Sequence, residues 1–154
     1  MRLALYQPDI PQNLGAAIRL TAALEVALDV IEPCGFPLGD KAIKRAAMDY
    51  GGCAKVSHHD SWNDFLAQIR AGKSRLILFT TQSARPYQDF VFSDDDVLLM
   101  GRESAGVPPE VHAEADHRLF IPISAQARSI NVITAAAMAM GEALRQTGGF
   151  PVRG

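Results

Sequence analysis

The sequence predicts an α/β fold, a mostly parallel sheet flanked by helices, in a single domain over residues 1–154. Three observations carry this. Short β-rich segments alternate with helical ones along the chain. LILFT at 76–80 and VLLM at 97–100 are continuously apolar, as strands covered on both faces are. No repeat, low-complexity stretch or linker divides the chain, and 48% hydrophobic with 21% charged residues is ordinary for a globular domain able to bury a core.

Residues 2–7 (RLALYQ) bring the β formers Leu3, Leu5 and Tyr6 and read as the first strand. A polar, proline-marked loop covers 9–13. Residues 13–24 then show helical spacing in Leu14, Ala17, Ile18, Thr21 and Ala22. The second strand is 27–31, stopped by Glu32-Pro33. After a loop at 34–39, Asp40 is placed to N-cap a short helix over 41–48. Residues 55–58 are the third strand. Ser61 and Asp64 form a capping-box variant opening a helix over 62–71, whose apolar face is Trp62, Phe65, Leu66 and Ile69, with Gly72 closing it at C′. The fourth strand, 76–80, reads as central, and 81–93 is a loop. The fifth, 97–100, ends on Gly101. A short helix over 110–115, a sixth strand at 118–121 and a polar loop at 122–129 follow.

The last helix, 131–146, has no polar face until Glu142. A helix apolar all round is buried all round. In so small a domain the cover for its outer side is expected to be a second subunit, so the chain is expected to be a homodimer. A core helix in a monomer is the alternative.

Net charge is −2, so no overall basic field advertises nucleic acid. Local basic clusters at Lys41, Lys44 and Arg45 and at Arg70, Lys73 and Arg75 read first as solvated helix faces. Cys34 and Cys53 fit neither a disulfide framework nor a zinc site. The longest apolar-rich segment, 131–140, is too short to span a bilayer, and the proline-interrupted start does not read as a signal peptide, so no membrane association and a cytoplasmic location are expected. GxGxxG, P-loop and GxSxG patterns are absent. Adjacent His58 and His59 on a strand point to opposite faces and read as structural or surface residues; no metal is expected.

Ligands in parallel sheets bind where loops leave the carboxyl ends of strands, here after Thr80, Met100 and Ile121. Gly101 lets the backbone turn and be approached closely. Three polar clusters lie beside strand ends: 13–19, 101–106 and 128–131. Arg19, set in an otherwise apolar run, is expected to point into a cleft or an interface. Ser129 and Asn131, at the start of the last helix, either cap its free amides or meet a ligand.

PQNLGAAIR, LMGRESAGVP and IPISAQARSINV together resemble the three motifs of the SPOUT methyltransferases, closest to the small wobble-position tRNA 2′-O-methyltransferase branch, the TrmL (YibK-like) group. LYQPDIPQNLGAAIRL, VIEPCGFPLGDKAIKRAAMDY, VSHHDSWNDF and EALRQ extend the resemblance nearly end to end. It implies an α/β sheet with a C-terminal trefoil knot, which general rules on chain threading would not have suggested. It also implies a homodimer and S-adenosylmethionine as cofactor, held by Phe79, Thr80, Gly101, Ile121, Ser129 and Ile130. The substrate it implies is the anticodon stem-loop of a tRNA, with tRNA-Leu the expected one.

In the implied reaction, Arg19 binds the adjacent phosphate and stabilises developing alkoxide, since a guanidinium is a poor base at neutral pH. Asn13 orients that arginine or the ribose. Glu103 fixes the knot loop or pairs with Arg19. Ser129 and Asn131 hold cofactor and ribose, and Arg128, Lys41, Lys44 and Arg45 contact RNA phosphates. The chain departs from the family pattern at Ile133, where a hydroxyl residue is common, and at Gly141, where a tyrosine is. A knotted RNA-binding protein without catalysis, or 2′-O-methylation at another tRNA or rRNA site, are the alternatives.

Overall fold

The computed structural model describes residues 1–39, 41, 43, 45, 48–49, 52–83 and 85–152. Among them, six strands pair in parallel in the order β3-β2-β1-β5-β4-β6: β1 Arg2–Tyr6, β2 Ala27–Ile31, β3 Val56–His59, β4 Leu76–Phe79, β5 Val97–Met100 and β6 His117–Leu119. Helices flank them, of which α1 Pro11–Ala23, α2 Trp62–Ala71, α3 Pro109–Glu114 and α4 Val132–Thr147 lie wholly within the described residues.

Alternate strand residues face opposite layers. Leu3, Leu5, Ile77, Phe79, Leu98 and Met100 pack with Leu14, Ala17 and Ile18 of α1 and with Ala136, Ala139 and Met140 of α4. Ala4, Tyr6, Leu76, Leu78, Val97 and Leu99 pack with Phe65 and Ile69 of α2 and with Val111 of α3. The continuous apolar runs are therefore two alternating faces, each under helices, and β4 lies inside the sheet between β5 and β6.

Where element ends differ from the sequence reading, local bonding explains it. Helix α1 begins at Pro11, inside the expected loop, because a proline at the first helical position forgoes an amide that would have no partner there. Gly72 caps α2 in the right-handed region, and the positive φ falls instead on Lys73. Strand β6 stops at Leu119 because Phe120 pairs with the 85–87 stretch: its amide donates to Arg85 O and its carbonyl accepts from Tyr87 N, each at 3.0 Å. Lys41, Ile43, Arg45 and Met48 are helical as expected, while Asp40 and Lys44 lie outside the described residues.

The β4–β5 connection crosses α4. Phe90 and Phe92 are buried in the α1/α4 layer, and Gln146 near the end of α4 donates to Phe90 O and accepts from Phe92 N, both at 2.9 Å. The contact is consistent with the C-terminal trefoil knot that the resemblance implies. Only one face of α4 is covered in the single chain: Ala136, Ala139, Met140 and Ala143 are buried, whereas Thr134 and Arg145 are exposed and Met138 is 39% exposed. The outer side, expected to lie under a second subunit, is open in the single chain. Small residues give α4 its apolar sequence, and they let it lie close on the sheet.

Several charged residues away from the strand exits are structural, Arg70 and Arg75 of the second basic cluster among them. Asp29, buried in β2, accepts from Arg2 Nε at 2.7 Å and Arg2 Nη2 at 2.6 Å, and meets His59 Nε2 at 2.8 Å. Arg70 pairs with Asp116 at 2.9 Å, and Arg75 with buried Asp96 at 2.7 Å. No helix among the described residues is long and apolar enough to cross a membrane.

Candidate functional site

A cavity of about 530 Å³ opens at the carboxyl ends of β4 and β5, beside the loop that follows β6. Phe79 and Thr80 leave β4, Gly101 leaves β5, and Ile121, Ser129 and Ile130 belong to the loop leading into α4; all six line the cavity. Asn13, Glu103 and Asn131 line it as well. Four segments far apart in sequence therefore meet at one place because a parallel sheet puts all its strand exits on one edge.

Gly101 has a tighter reason to be glycine than access for a ligand. A Cβ there would fall 2.8 Å from the Cα and C of Gly106. The 102–106 turn closes on itself by paired bonds of 2.9 Å between the amides and carbonyls of Arg102 and Gly106, with Gly106 at φ +64°. The turn's backbone thus occupies the space a side chain on Gly101 would need.

The polar side of the cavity is a relay of amides. Asn131 Oδ1 accepts from the Ile133 amide at 2.8 Å and the Thr134 amide at 3.3 Å, capping α4. Its Nδ2 donates to Asn13 Oδ1 at 3.0 Å, and Asn13 Nδ2 donates to Glu103 Oε1 at 3.1 Å. Glu103 Oε2 accepts from the Asp9 amide at 2.9 Å. Of the two roles open to Asn131 on sequence grounds, the cap is the one its oxygen fills. Thr80 is similarly engaged, its amide donating to Leu119 O at 2.9 Å and its hydroxyl oxygen accepting from the Gln82 amide at 3.2 Å.

Asp9 and Arg102 adjoin the relay, Arg102 at the cavity wall and Asp9 outside it. Hydrogen bonding with the Glu103 side chain, and then with the Ser104 hydroxyl, holds the Asp9 carboxyl below the usual carboxylate range; burial opposes the shift and Arg102 adds to it. Arg102 lies 3.7 Å from Asp9 and donates weakly to Gln7 Oε1 at 3.4 Å. Nearby, burial followed by the charges of Glu32 and Glu103 pushes the Cys34 thiol up to about 11, which removes it as a nucleophile at neutral pH.

Arg19, Lys41, Arg45 and Arg128 are exposed and do not line the cavity of the single chain; Lys44 is not among the described residues. Arg19 is on an exposed side of α1, whereas Asn13 six residues earlier is buried at the cavity wall. His58 and His59 do take opposite faces, His59 bonded to Asp29 and His58 half-exposed beside Glu32 at 3.2 Å. Glu32, His58 and Asp60 offer ligand atoms within 4.8 Å of one another, beside the edge strand β3 and away from the cavity.

Sequence reasoning missed Asp9, Gln82 and His112, and placed Arg102 only within the 101–106 polar cluster, without a role. Asp9 stood in what read only as a proline-marked loop, and its link to Glu103 spans 94 residues. Arg102 and Gln82 adjoin residues that were identified. His112 lines the cavity from α3 with no pattern to announce it.

Residues 1–141 match the model of the SpoU rRNA Methylase family. The tRNA (cytidine(34)-2′-O)-methyltransferase of Beijerinckia indica subsp. indica is 56% identical over 147 residues, which cover 95% of this chain and 91% of that protein. A solved structure that describes 2-OH methylation of C/U34 on tRNA superposes with a TM-score of 0.85 at 39% identity, covering 94% of both chains. An AdoMet-bound rRNA methyltransferase from Sinorhizobium meliloti superposes with a TM-score of 0.81 at 27% identity, over 94% of this chain and 55% of that one.

Proposed function

The chain belongs to the SpoU rRNA Methylase family, within the SPOUT RNA methyltransferases, and we propose that it is a homodimer that methylates the 2′-hydroxyl of the wobble pyrimidine, position 34, of a tRNA. The observation that carries this reading is the meeting of Gly101, Ser129, Asn131 and Asn13 around one cavity. The relatives of B. indica and of the C/U34 structure supply the substrate class. Within that class we assign a leucine tRNA, on the resemblance alone.

The cavity fits S-adenosylmethionine. Its volume of about 530 Å³ lies inside the range of ~300–1,000 Å³ usual for cofactor sites. Phe79, Met100, Val107 and Ile121 supply apolar wall, and Thr80, Gly101, Ser129 and Ile130 bring hydroxyl and main-chain groups to it. Bound there, the cofactor would supply a methyl group on a positively charged sulfur: the ribose oxygen would take the methyl as the carbon–sulfur bond breaks, the sulfur would leave as a neutral thioether, and the hydroxyl proton would pass to water or phosphate.

The chain's own residues bind and orient. Asn13, fixed between Glu103 and Asn131, presents a rigid polar edge to the ribose. Holding the two reactants in line contributes up to ~7–11 kcal/mol of the barrier reduction. Arg19 is assigned to the RNA phosphate beside the reacting hydroxyl and to the alkoxide charge that develops on it. Since Arg19 lies outside the cavity of its own chain, it acts on the partner's cavity. Arg128, Lys41, Lys44 and Arg45 are assigned to further phosphates, with the bases of an exposed single-stranded loop as the readable part of the RNA.

The dimer rests on α4, whose outer side carries Thr134, half-exposed Ala137, Met138 and Gly141. Sedimentation giving a monomer at micromolar concentration refutes it. Calorimetry with S-adenosylhomocysteine tests the cofactor, and methyl transfer to bulk tRNA tests the reaction. Mass spectrometry of tRNA from a deletion strain locates the nucleotide: an unmodified ribose at position 34 supports the reading, and a full complement there with loss elsewhere replaces it.

A further inference from the structure

Asp9, in the connection between β1 and α1, engages three successive residues of the turn that leaves β5. Its amide donates to Glu103 Oε2 at 2.9 Å, its Oδ2 accepts from the Ser104 hydroxyl, and the same oxygen stands 3.7 Å from Arg102 Nε. It cannot back away. The Gly35 amide donates to Pro8 O at 2.9 Å, and a Cβ on Gly35 would fall 2.6 Å from Asp9 Cβ. On the other side, the turn is closed by the Arg102–Gly106 pair and pressed against Gly101. Asp9 is therefore clamped between the 32–39 loop and the cavity turn.

Two buried atoms here have no hydrogen-bond partner: Asp9 Oδ1 and Arg102 Nε. Buried polar atoms are rarely left so, because each gives up its hydration for nothing. The side chains are held by the neighbours they do engage rather than by their own best pairing, as happens where a local arrangement serves function. The route from Asp9 to the cavity is short: Glu103, bonded to the Asp9 amide, is bonded in turn to Asn13, and both line the cavity.

We propose that Asp9 is a positioning residue for methyl transfer, holding residues 102–104 so that Glu103 fixes Asn13 at the cavity wall. Asp9 does not itself line the cavity, so it acts through Glu103 and Arg102. The inference rests on the methyltransferase reading, and its test is built to fail separately from that reading.

Asp9→Asn keeps the size of the side chain and removes its charge; Asp9→Glu keeps the charge. Both are measured in the full chain for kcat and KM with tRNA, for melting temperature, and for the rate at which trypsin cuts the Arg102–Glu103 bond. For Asp9→Asn the expected result is a kcat at least ~10-fold lower with KM for tRNA within about threefold, the pattern of lost orientation rather than lost binding. Cleavage after Arg102 is expected to rise at least ~5-fold at an unchanged melting temperature, as local opening does. Asp9→Glu is expected to recover most of the rate. A wild-type kcat and cleavage rate in Asp9→Asn overturns the proposal. So does a loss of kcat that tracks the melting temperature and is not relieved by Asp9→Glu. If the unaltered protein transfers no methyl to tRNA, the functional reading has failed. The cleavage measurement still decides whether Asp9 holds the turn, and an unchanged rate overturns that.

Discussion

Asn131 does two things that substitution can separate. Its Oδ1 caps α4 through the Ile133 and Thr134 amides, and its Nδ2 donates to Asn13 Oδ1. Asn131→Ala removes both. The lost cap costs about 1 kcal/mol, and the lost bond to buried Asn13 costs about 1–2 kcal/mol more. At roughly 2–4 °C per kcal/mol for a domain of this size, the melting temperature is expected to fall by about 4–12 °C. Asn131→Asp keeps a carboxylate oxygen for the two amides, and its charge at the helix N-terminus offsets ~0.3–1 kcal/mol of the lost bond to Asn13, so the melting temperature is expected to fall by only about 0–7 °C, less than in Asn131→Ala. Yet Asp cannot donate to Asn13 Oδ1. Asn13 cannot compensate by flipping its amide, because its Nδ2 already donates to Glu103. Methyl transfer is therefore expected to fall ~10–100-fold in both variants, the effect of a small misplacement at a reacting centre. Differential scanning calorimetry at fixed protein concentration, with a methyl-transfer assay at saturating cofactor, reads both quantities. A wild-type rate in Asn131→Asp refutes the relay as the element that places Asn13. Equal melting temperatures in Asn131→Ala and wild type refute the cap.

Arg19→Ala is expected to lower methyl transfer at least ~100-fold, the scale of losing one electrostatic stabiliser, with affinity for S-adenosylhomocysteine unchanged; an unaltered kcat at saturating tRNA refutes the role. Gly101→Ala forces a Cβ to within 2.8 Å of the Gly106 backbone, so the turn must shift; affinity for S-adenosylhomocysteine is expected to fall at least ~10-fold at constant helix content, and calorimetry giving wild-type affinity sinks that argument. Glu142 is held down to about 2, first by Arg145 and then by Gln146. A depressed carboxyl lends stability that is complete above its ordinary 4.5 and is lost as pH falls towards about 2. Melting curves across that window are expected to show a shallower pH dependence in Glu142→Gln, and superimposable slopes count against the pair.

The sheet and the cavity were legible in the sequence for different reasons. Strands 27–31 and 97–100 and helix 62–71 keep their expected bounds because two covered faces and a capping serine write themselves into local composition. The six residues that the resemblance assigns to the cofactor share a cavity. What stayed hidden is non-local. The end of β6 is set by Phe120 pairing with a segment 34 residues earlier in the chain, and no periodicity records that. Arg19 was expected in a cleft or an interface because its neighbours are apolar; α1 buries only one stripe in the single chain, and Arg19 falls outside it, which leaves the interface. Asp9 looked like turn chemistry, since its importance lies in what reaches it from residues 102–104.

The relay of amides also answers an electrostatic problem. The first turn of α4 lines the cavity, and a helix N-terminus carries partial positive charge. A cationic methyl donor beside bare amides would be repelled. Asn131 covers the Ile133 and Thr134 amides with an oxygen, and the dipoles then run through Asn13 to the carboxyl of Glu103. The negative charge of Asp9 is countered by Arg102, 3.7 Å away and itself at the cavity wall. In such a wall the Glu103 carboxylate is bonded to the Asn13 side chain and the Asp9 amide, and neutral amides stand at the start of α4. In the proposed transfer a positively charged sulfur becomes neutral, so charge at that sulfur is dispersed on the way to the transition state. A strong fixed anion close to the cation would stabilise the bound donor more than the transition state and slow the step. Oriented amides avoid that penalty while keeping Asn13 in place, which explains why neutral Asn13 and Asn131, rather than an ion pair, join the start of α1 to the start of α4.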